Sequence, residues 1–71
     1  MNSIKVIDLI KDLKSHQILY LRNFKNPSFA HAYKPIFVIP SGKEKGKLLL
    51  ARWKTCSQLV MDLDSVLYYQ Y

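Results

Sequence analysis

The sequence predicts an α+β fold, a single small domain over residues 1–71 in which helices at the two ends pack on a two- or three-stranded antiparallel sheet. Three observations carry that expectation. Apolar residues recur at helical spacing in residues 3–15 and, over a longer stripe, in residues 55–69. Between them lie short β-favouring runs, residues 17–24 and 36–39, punctuated by proline and glycine. A hydrophobic content of 49%, with 13% aromatic residues, is too rich for a disordered chain even at a net charge of +6.

In the first element Val6, Leu9, Ile10 and Leu13 fall on one helical face, with Lys5, Asp8, Lys11, Asp12 and Lys14 opposite, and Asn2 or Ser3 is placed to cap the start. Residues 17–24 then read as a strand with Leu19 and Leu21 on one face. Two X-Pro steps, Asn26-Pro27 and Lys34-Pro35, disfavour helix and predict a loop over residues 25–35. Ile36 to Ile39 form a short strand ended by Pro40, and residues 41–46 form a polar turn containing Gly42 and Gly46. Residues 48–53 fit either the returning arm of a hairpin or the first turns of a long helix. The helical reading draws on Leu49, Trp53, Cys56, Val60, Leu63 and Leu67, spaced 4, 3, 4, 3 and 4 residues apart, with Leu59 and Val66 widening the stripe and Gln58, Asp62 and Ser65 opposite. On that pattern residues 55–69 are predicted to be helical. Phe37, Trp53 and Cys56 then read as core.

A chain this short gains little from its core over the conformational entropy it loses, so an added source of stability is expected. One cysteine excludes an intrachain disulfide, and Cys56, His16 and His31 are too dispersed for a structural zinc, which needs about four close ligands. No metal or other cofactor is predicted. A homo-oligomer, most simply a homodimer, is the remaining route. The predicted C-terminal helix supplies its surface through Val60, Leu63, Leu67, Tyr68 and Tyr71, since aromatics crowded at a chain end favour interfaces. The longest apolar runs are four residues, against the roughly 20 that cross a bilayer, so no membrane association is expected. Lys5, Asp8, Lys11 and Asp12 interrupt any signal-peptide core, and a single thiol fits a reducing compartment, which predicts a cytoplasmic protein.

Charge is distributed unevenly. From residue 22 to residue 54 eight basic side chains face Glu44 alone, a local charge of +7, whereas residues 55–71 hold Asp62 and Asp64 with no base. Such a segment predicts a polyanionic partner. Phe24, Phe29, Tyr33, Phe37 and Trp53 are interleaved with the cations, and stacking rings among phosphate-neutralising cations suit RNA or single strands. The predicted function is non-enzymatic nucleic-acid binding through Arg22, Lys25, Phe29, Tyr33, Lys34, Lys43, Lys45, Lys47, Arg52 and Lys54. An alternative is a protein-interaction module or inhibitor whose basic face docks on an acidic protein surface. The turn from Gly42 to Lys47 lacks the Walker spacing, so no nucleotide-phosphate loop is expected. His16 reads as the cation completing the first helix, and His31, in the loop, is the histidine an acid–base mechanism would require.

Leu9-Ile10-Lys11-Asp12-Leu13-Lys14 and Val38-Ile39-Pro40-Ser41-Gly42-Lys43-Glu44 look like segments of the HicA-type toxins, and the resemblance covers about residues 9–59. It implies a fold like the double-stranded-RNA-binding domain and cleavage of messenger RNA. The family's catalytic Gly-Ser-His is absent, His31 being preceded by Phe29-Ala30, and residues after Leu59 have no counterpart. A ribonuclease toxin therefore stands as a further alternative, resting on His31.

Overall fold

The computed structural model describes residues 2–26 and 31–70. Its chain runs β1 (Asn2–Lys5), α1 (Val6–Leu9), a 3-10 segment (Ile10–His16), β2 (Tyr20–Leu21), β3 (Ala32–Val38), β4 (Leu48–Arg52), β5 (Gln58–Met61) and β6 (Val66–Tyr69). The strands form one antiparallel sheet in the order β1-β6-β2-β3-β4-β5. This corrects the predicted fold class: the sheet has six strands rather than two or three, and the C-terminal half contains no helix.

The helix predicted over residues 55–69 is replaced by β5, a turn and β6. Val66–Tyr69 is rich in β-branched and aromatic residues, Gln58–Met61 alternates exposed and partly buried positions about Val60, and Asp62, Asp64 and Ser65 between them are turn formers. The Ser65 N–H closes the turn on the Asp62 carbonyl at 3.1 Å. Residues 48–52 are the returning arm of a hairpin, closed on the far side by Arg52 N–H to the Ser57 carbonyl at 2.9 Å. Cys56, predicted as core, is exposed in that turn.

At the N-terminus the apolar face lies where expected, with Val6 and Leu9 buried and Ile10 and Leu13 packed against the core. The helix is shorter than predicted because residues 2–5 pair with β6, so Lys5 occupies the N-cap position without a side-chain bond. Asp12 then leaves helical geometry at φ −151°, its carboxylate accepting from the Ser15 hydroxyl at 2.6 Å. This bond to the charged form holds the Asp12 carboxyl below its usual range. His16, predicted at the helix end, lies in the last turn of the 3-10 segment and places Nδ1 3.2 Å from the hydroxyl of Tyr20, a ring with no exposed surface.

Strand β3 begins four residues before the predicted strand, because Pro35 is accommodated. It lies opposite Leu50 at a position flanked by the hydrogen-bonded pair of Lys34 and Ala51, so its missing N–H would have pointed toward β2, which pairs only as far as Tyr33. A bulge between Pro35 and Phe37 inserts Ile36. The β3–β4 turn is the predicted one, and Gly42 and Gly46 adopt φ of 92° and 87°, conformations that L side chains rarely reach.

Four residues link β5 to β6, which lie four strand spacings apart in the sheet. A flat sheet would separate them by about 19 Å, more than a tightly turned link can span, so the sheet curls on itself. The core occupies the concave side: Tyr20, Leu48, Leu50 and Leu67 join Val6 and Leu9 with no exposed surface, each leucine contributing about 1.5–3 kcal/mol by burial. Leu67, predicted at a subunit interface, is thus committed to the chain's own core. The strand period puts Phe37, Leu49 and Val60, which are directly opposite one another, on the convex side together with Trp53. Phe37 and Trp53, predicted as core, are therefore about half exposed, at 46% and 51%. Among the described residues, no helix is long and apolar enough to cross a membrane.

Candidate nucleic-acid interface

Antiparallel pairing divides the basic segment between the two ends of the sheet. The C-terminal end of β2, the N-terminal end of β3 and the C-terminal end of β4 coincide, as shown by the pairing of Leu21 with Ala32 and of Tyr33 with Arg52. Arg22, Lys25, Lys34, Arg52 and Lys54 come together at this end. The segments that supply these cations, residues 22–43 and 45–61, contain neither aspartate nor glutamate.

The opposite end holds Lys43, Lys45 and Lys47 in and beside the β3–β4 turn, and the same pairing rule delivers Asp62 and Asp64 to them, since Leu48 is opposite Met61. Lys47 Nζ lies 2.8 Å from Glu44 Oε2 and 3.0 Å from Asp62 Oδ1. These bonds hold the Lys47 ammonium above its usual pKa. Three lysines there face three acids. A shallow cleft of about 470 Å³ is lined by Lys45, Lys47, Asp62, Leu63 and Asp64, which places Leu63, predicted at a subunit interface, in a charged surround.

At the basic end a cleft of about 550 Å³ is lined by Leu21, Arg22, Asn23, Asn26, His31 and Tyr33. Lys25 sits on the rim, its N–H donating to Asn23 Oδ1 at 2.9 Å. Tyr33, predicted as an exposed stacking ring, is 9% exposed and presents only an edge to this cleft, because β3 turns it inward between Tyr20 and Arg52. The exposed ring here is Trp53, which a Trp53 N–H bond to the Ala32 carbonyl, 2.9 Å, fixes at the start of the β4–β5 turn. Lys34 Nζ stands 5.3 Å from its ring centroid, a cation–π contact worth about 0.5–1 kcal/mol at an exposed site. Phe24 is half exposed and rests against Tyr68, centroids 5.3 Å apart, so Tyr68 is partly covered by its own chain. Phe29 and Tyr71 lie outside the described residues.

Of the ten predicted nucleic-acid-binding residues, the structure thus gathers Arg22, Lys25, Tyr33, Lys34, Arg52 and Lys54 and sets Lys43, Lys45 and Lys47 apart from them. Asn23, Asn26 and Trp53 belong to the site and were not predicted for it. The asparagines flank Lys25 in a segment already marked as loop by Asn26-Pro27, which was the available signal, and Trp53 was hidden by the helical reading. Among the described residues, no cluster of three or more His, Cys, Asp or Glu could hold a metal ion.

Comparison with protein-family models, curated proteins and solved structures finds no match. The likeness to HicA-type toxins is therefore confined to the two short segments that carry it, and β5 and β6 depart from the arrangement it implied.

Proposed function

We propose that the protein binds single-stranded nucleic acid, RNA in the first instance, at the basic end of its sheet. The observation that carries this reading is the gathering of Arg22, Lys25, Lys34, Arg52 and Lys54, from segments without one aspartate or glutamate, at the end of the sheet that holds both a cleft and the exposed Trp53 ring. Cations there neutralise successive phosphates, Trp53 offers a face to an unpaired base, and the cleft is of small-ligand size, suited to a single flipped base or nucleotide. Asn23, Asn26 and the Tyr33 hydroxyl supply donors and acceptors for a base edge.

The role is binding rather than cleavage. In-line cleavage of RNA calls for a paired acid and base, and the residues lining the cleft include one histidine, His31, and no carboxylate. The test is fluorescence anisotropy with a labelled single-stranded RNA, a single-stranded DNA and a duplex across a salt series. Five neutralised phosphates give a log–log salt slope of about −3.5 on a single strand. No binding to any of the three at low salt would overturn the proposal, and shortened RNA recovered from the mixture, lost in His31→Ala, would establish the ribonuclease instead.

A further inference from the structure

The sheet ends at β5, and this edge is built differently from the edge at β1. Arg52 N–H to Ser57 carbonyl makes those two a hydrogen-bonded pair, so in the alternating antiparallel ladder Leu59 and Met61 direct their backbone groups to β4. Gln58 and Val60 then direct theirs outward, away from the sheet. Edge strands are commonly protected by a lysine, a proline or a bulge. β1 carries the exposed Lys5; Gln58-Leu59-Val60-Met61 carries none of these. The edge also borders the convex apolar strip, where Phe37, Leu49 and Val60 stand in cross-strand line with Phe37 and Val60 exposed.

The ends of β5 differ in charge. Lys54 and the basic end adjoin its start, whereas Asp62 and Asp64 follow its last residue. We propose that the β5 edge pairs with the β5 edge of a second copy of this chain, antiparallel about a two-fold axis, to form a homodimer with one continuous sheet. Outward-facing backbone groups meet when Gln58 of one copy lies opposite Val60 of the other, which puts Leu59 on the axis. That register turns the residues before Gln58 of each copy, Lys54 among them, toward the residues after Met61 of the other, Asp64 among them. The antiparallel arrangement brings the basic end of each copy to the neutral end of its partner, whereas a parallel one would set the two basic ends together. The surface shares Val60 with the predicted helix interface but not Leu63, Leu67, Tyr68 or Tyr71; it draws on Lys54 and leaves Arg22, His31 and the rest of the cleft lining open.

A four-residue edge with one apolar strip is below the size of a standard interface, so dimerisation at about 1 mM protein or below, weakening with salt, is the expected behaviour. Sedimentation velocity over a concentration series tests it: the mass rises from 8.3 kDa toward twice that value. Val60→Pro removes an outward N–H and no bond to β4, so this variant stays monomeric with an unchanged far-ultraviolet circular dichroism spectrum. Should the spectrum change, Val60→Lys makes the same test with a charge on the convex face. Asp64→Lys weakens the dimer and Lys54→Asp/Asp64→Lys restores it. A constant 8.3 kDa, or a dimer indifferent to folded Val60 variants, overturns the proposal, as does a monomeric chain that binds an extended peptide at β5.

Discussion

The two ends of the sheet are close to equal in lysine content and opposite in electrostatic character. At the β3–β4 turn Lys43, Lys45 and Lys47 meet Glu44, Asp62 and Asp64, and Lys47 bridges two of them. At the far end Arg22, Lys25, Lys34, Arg52 and Lys54 come together from segments that contain no aspartate or glutamate. Seven residues of β3 separate the groups by about 23 Å, close to three times the physiological Debye length of about 8 Å. The ends therefore act as independent surfaces. A run of +7 along the chain is, in space, a neutral corner and a strongly positive one.

The largest expected effect follows from removing cations at one end only. Arg22→Ala/Lys34→Ala/Lys54→Ala leaves two phosphate contacts of five, and the single-strand salt slope should fall from about −3.5 to about −1.4, with affinity lost at every salt concentration. Lys43→Ala/Lys45→Ala should leave both slope and affinity nearly unchanged. If the two variants weakened binding alike, nucleic acid would be following the whole basic segment, and the division between the ends would have no functional meaning.

A smaller effect is expected at the aromatic ring that marks the basic end. Trp53 is the sole tryptophan, so its fluorescence should quench when a base stacks on it. Trp53→Ala should weaken single-strand binding by about 1–3 kcal/mol, five- to roughly 150-fold, with the salt slope unchanged. Phe37 is as exposed and lies on the same convex side, but toward the neutral end, so Phe37→Ala should leave binding intact. Equal losses in the two variants would shift the site from the end of the sheet to its convex face.

How much of this was legible depends on which physical signal each residue carried. The turn with Gly42 and Gly46 and the strand entering it were readable, because glycine and proline act locally. The C-terminal half was misread because a coincidence of spacing imitated a helix: Leu49, Trp53, Cys56, Val60, Leu63 and Leu67, drawn from strands and turns alike, happen to fall 4, 3, 4, 3 and 4 residues apart. Leu48, Leu49 and Leu50 could not break the tie, since three consecutive leucines conceal which face is buried. The turn chemistry of Asp62, Asp64 and Ser65 was the contrary signal, and in a helix it passes for a polar face. The site depended on the same error. Only antiparallel pairing of β4 with β5 carries the C-terminal acids to the lysines of the turn, and a helix would have kept them away.

The smallest expected effect concerns the neutral end, where the ion pairs of Lys47 can be titrated. Hydrogen bonds to Glu44 and Asp62 hold the ammonium above the usual lysine value of 10.5, so its contribution is fully present below that pH and is lost as pH rises through the elevated value. At neutral pH Lys47→Met should lower the melting temperature only slightly, because all three groups are solvent-accessible and such pairs are weak. The deficit relative to wild type should be constant from pH 6 to pH 9 and shrink above about pH 10.5, as the wild-type ammonium itself deprotonates. Nucleic-acid binding at pH 7 changes the local charge in the opposite sense: with Lys47 gone, Glu44 and Asp62 are no longer neutralised, yet they lie about 23 Å from the cleft and outside the Debye length. Unaltered affinity in Lys47→Met, beside a measurable change in melting temperature, is the result expected of two electrostatically separate ends. A fall in affinity comparable to that of the triple variant would show that the field of one end reaches the other.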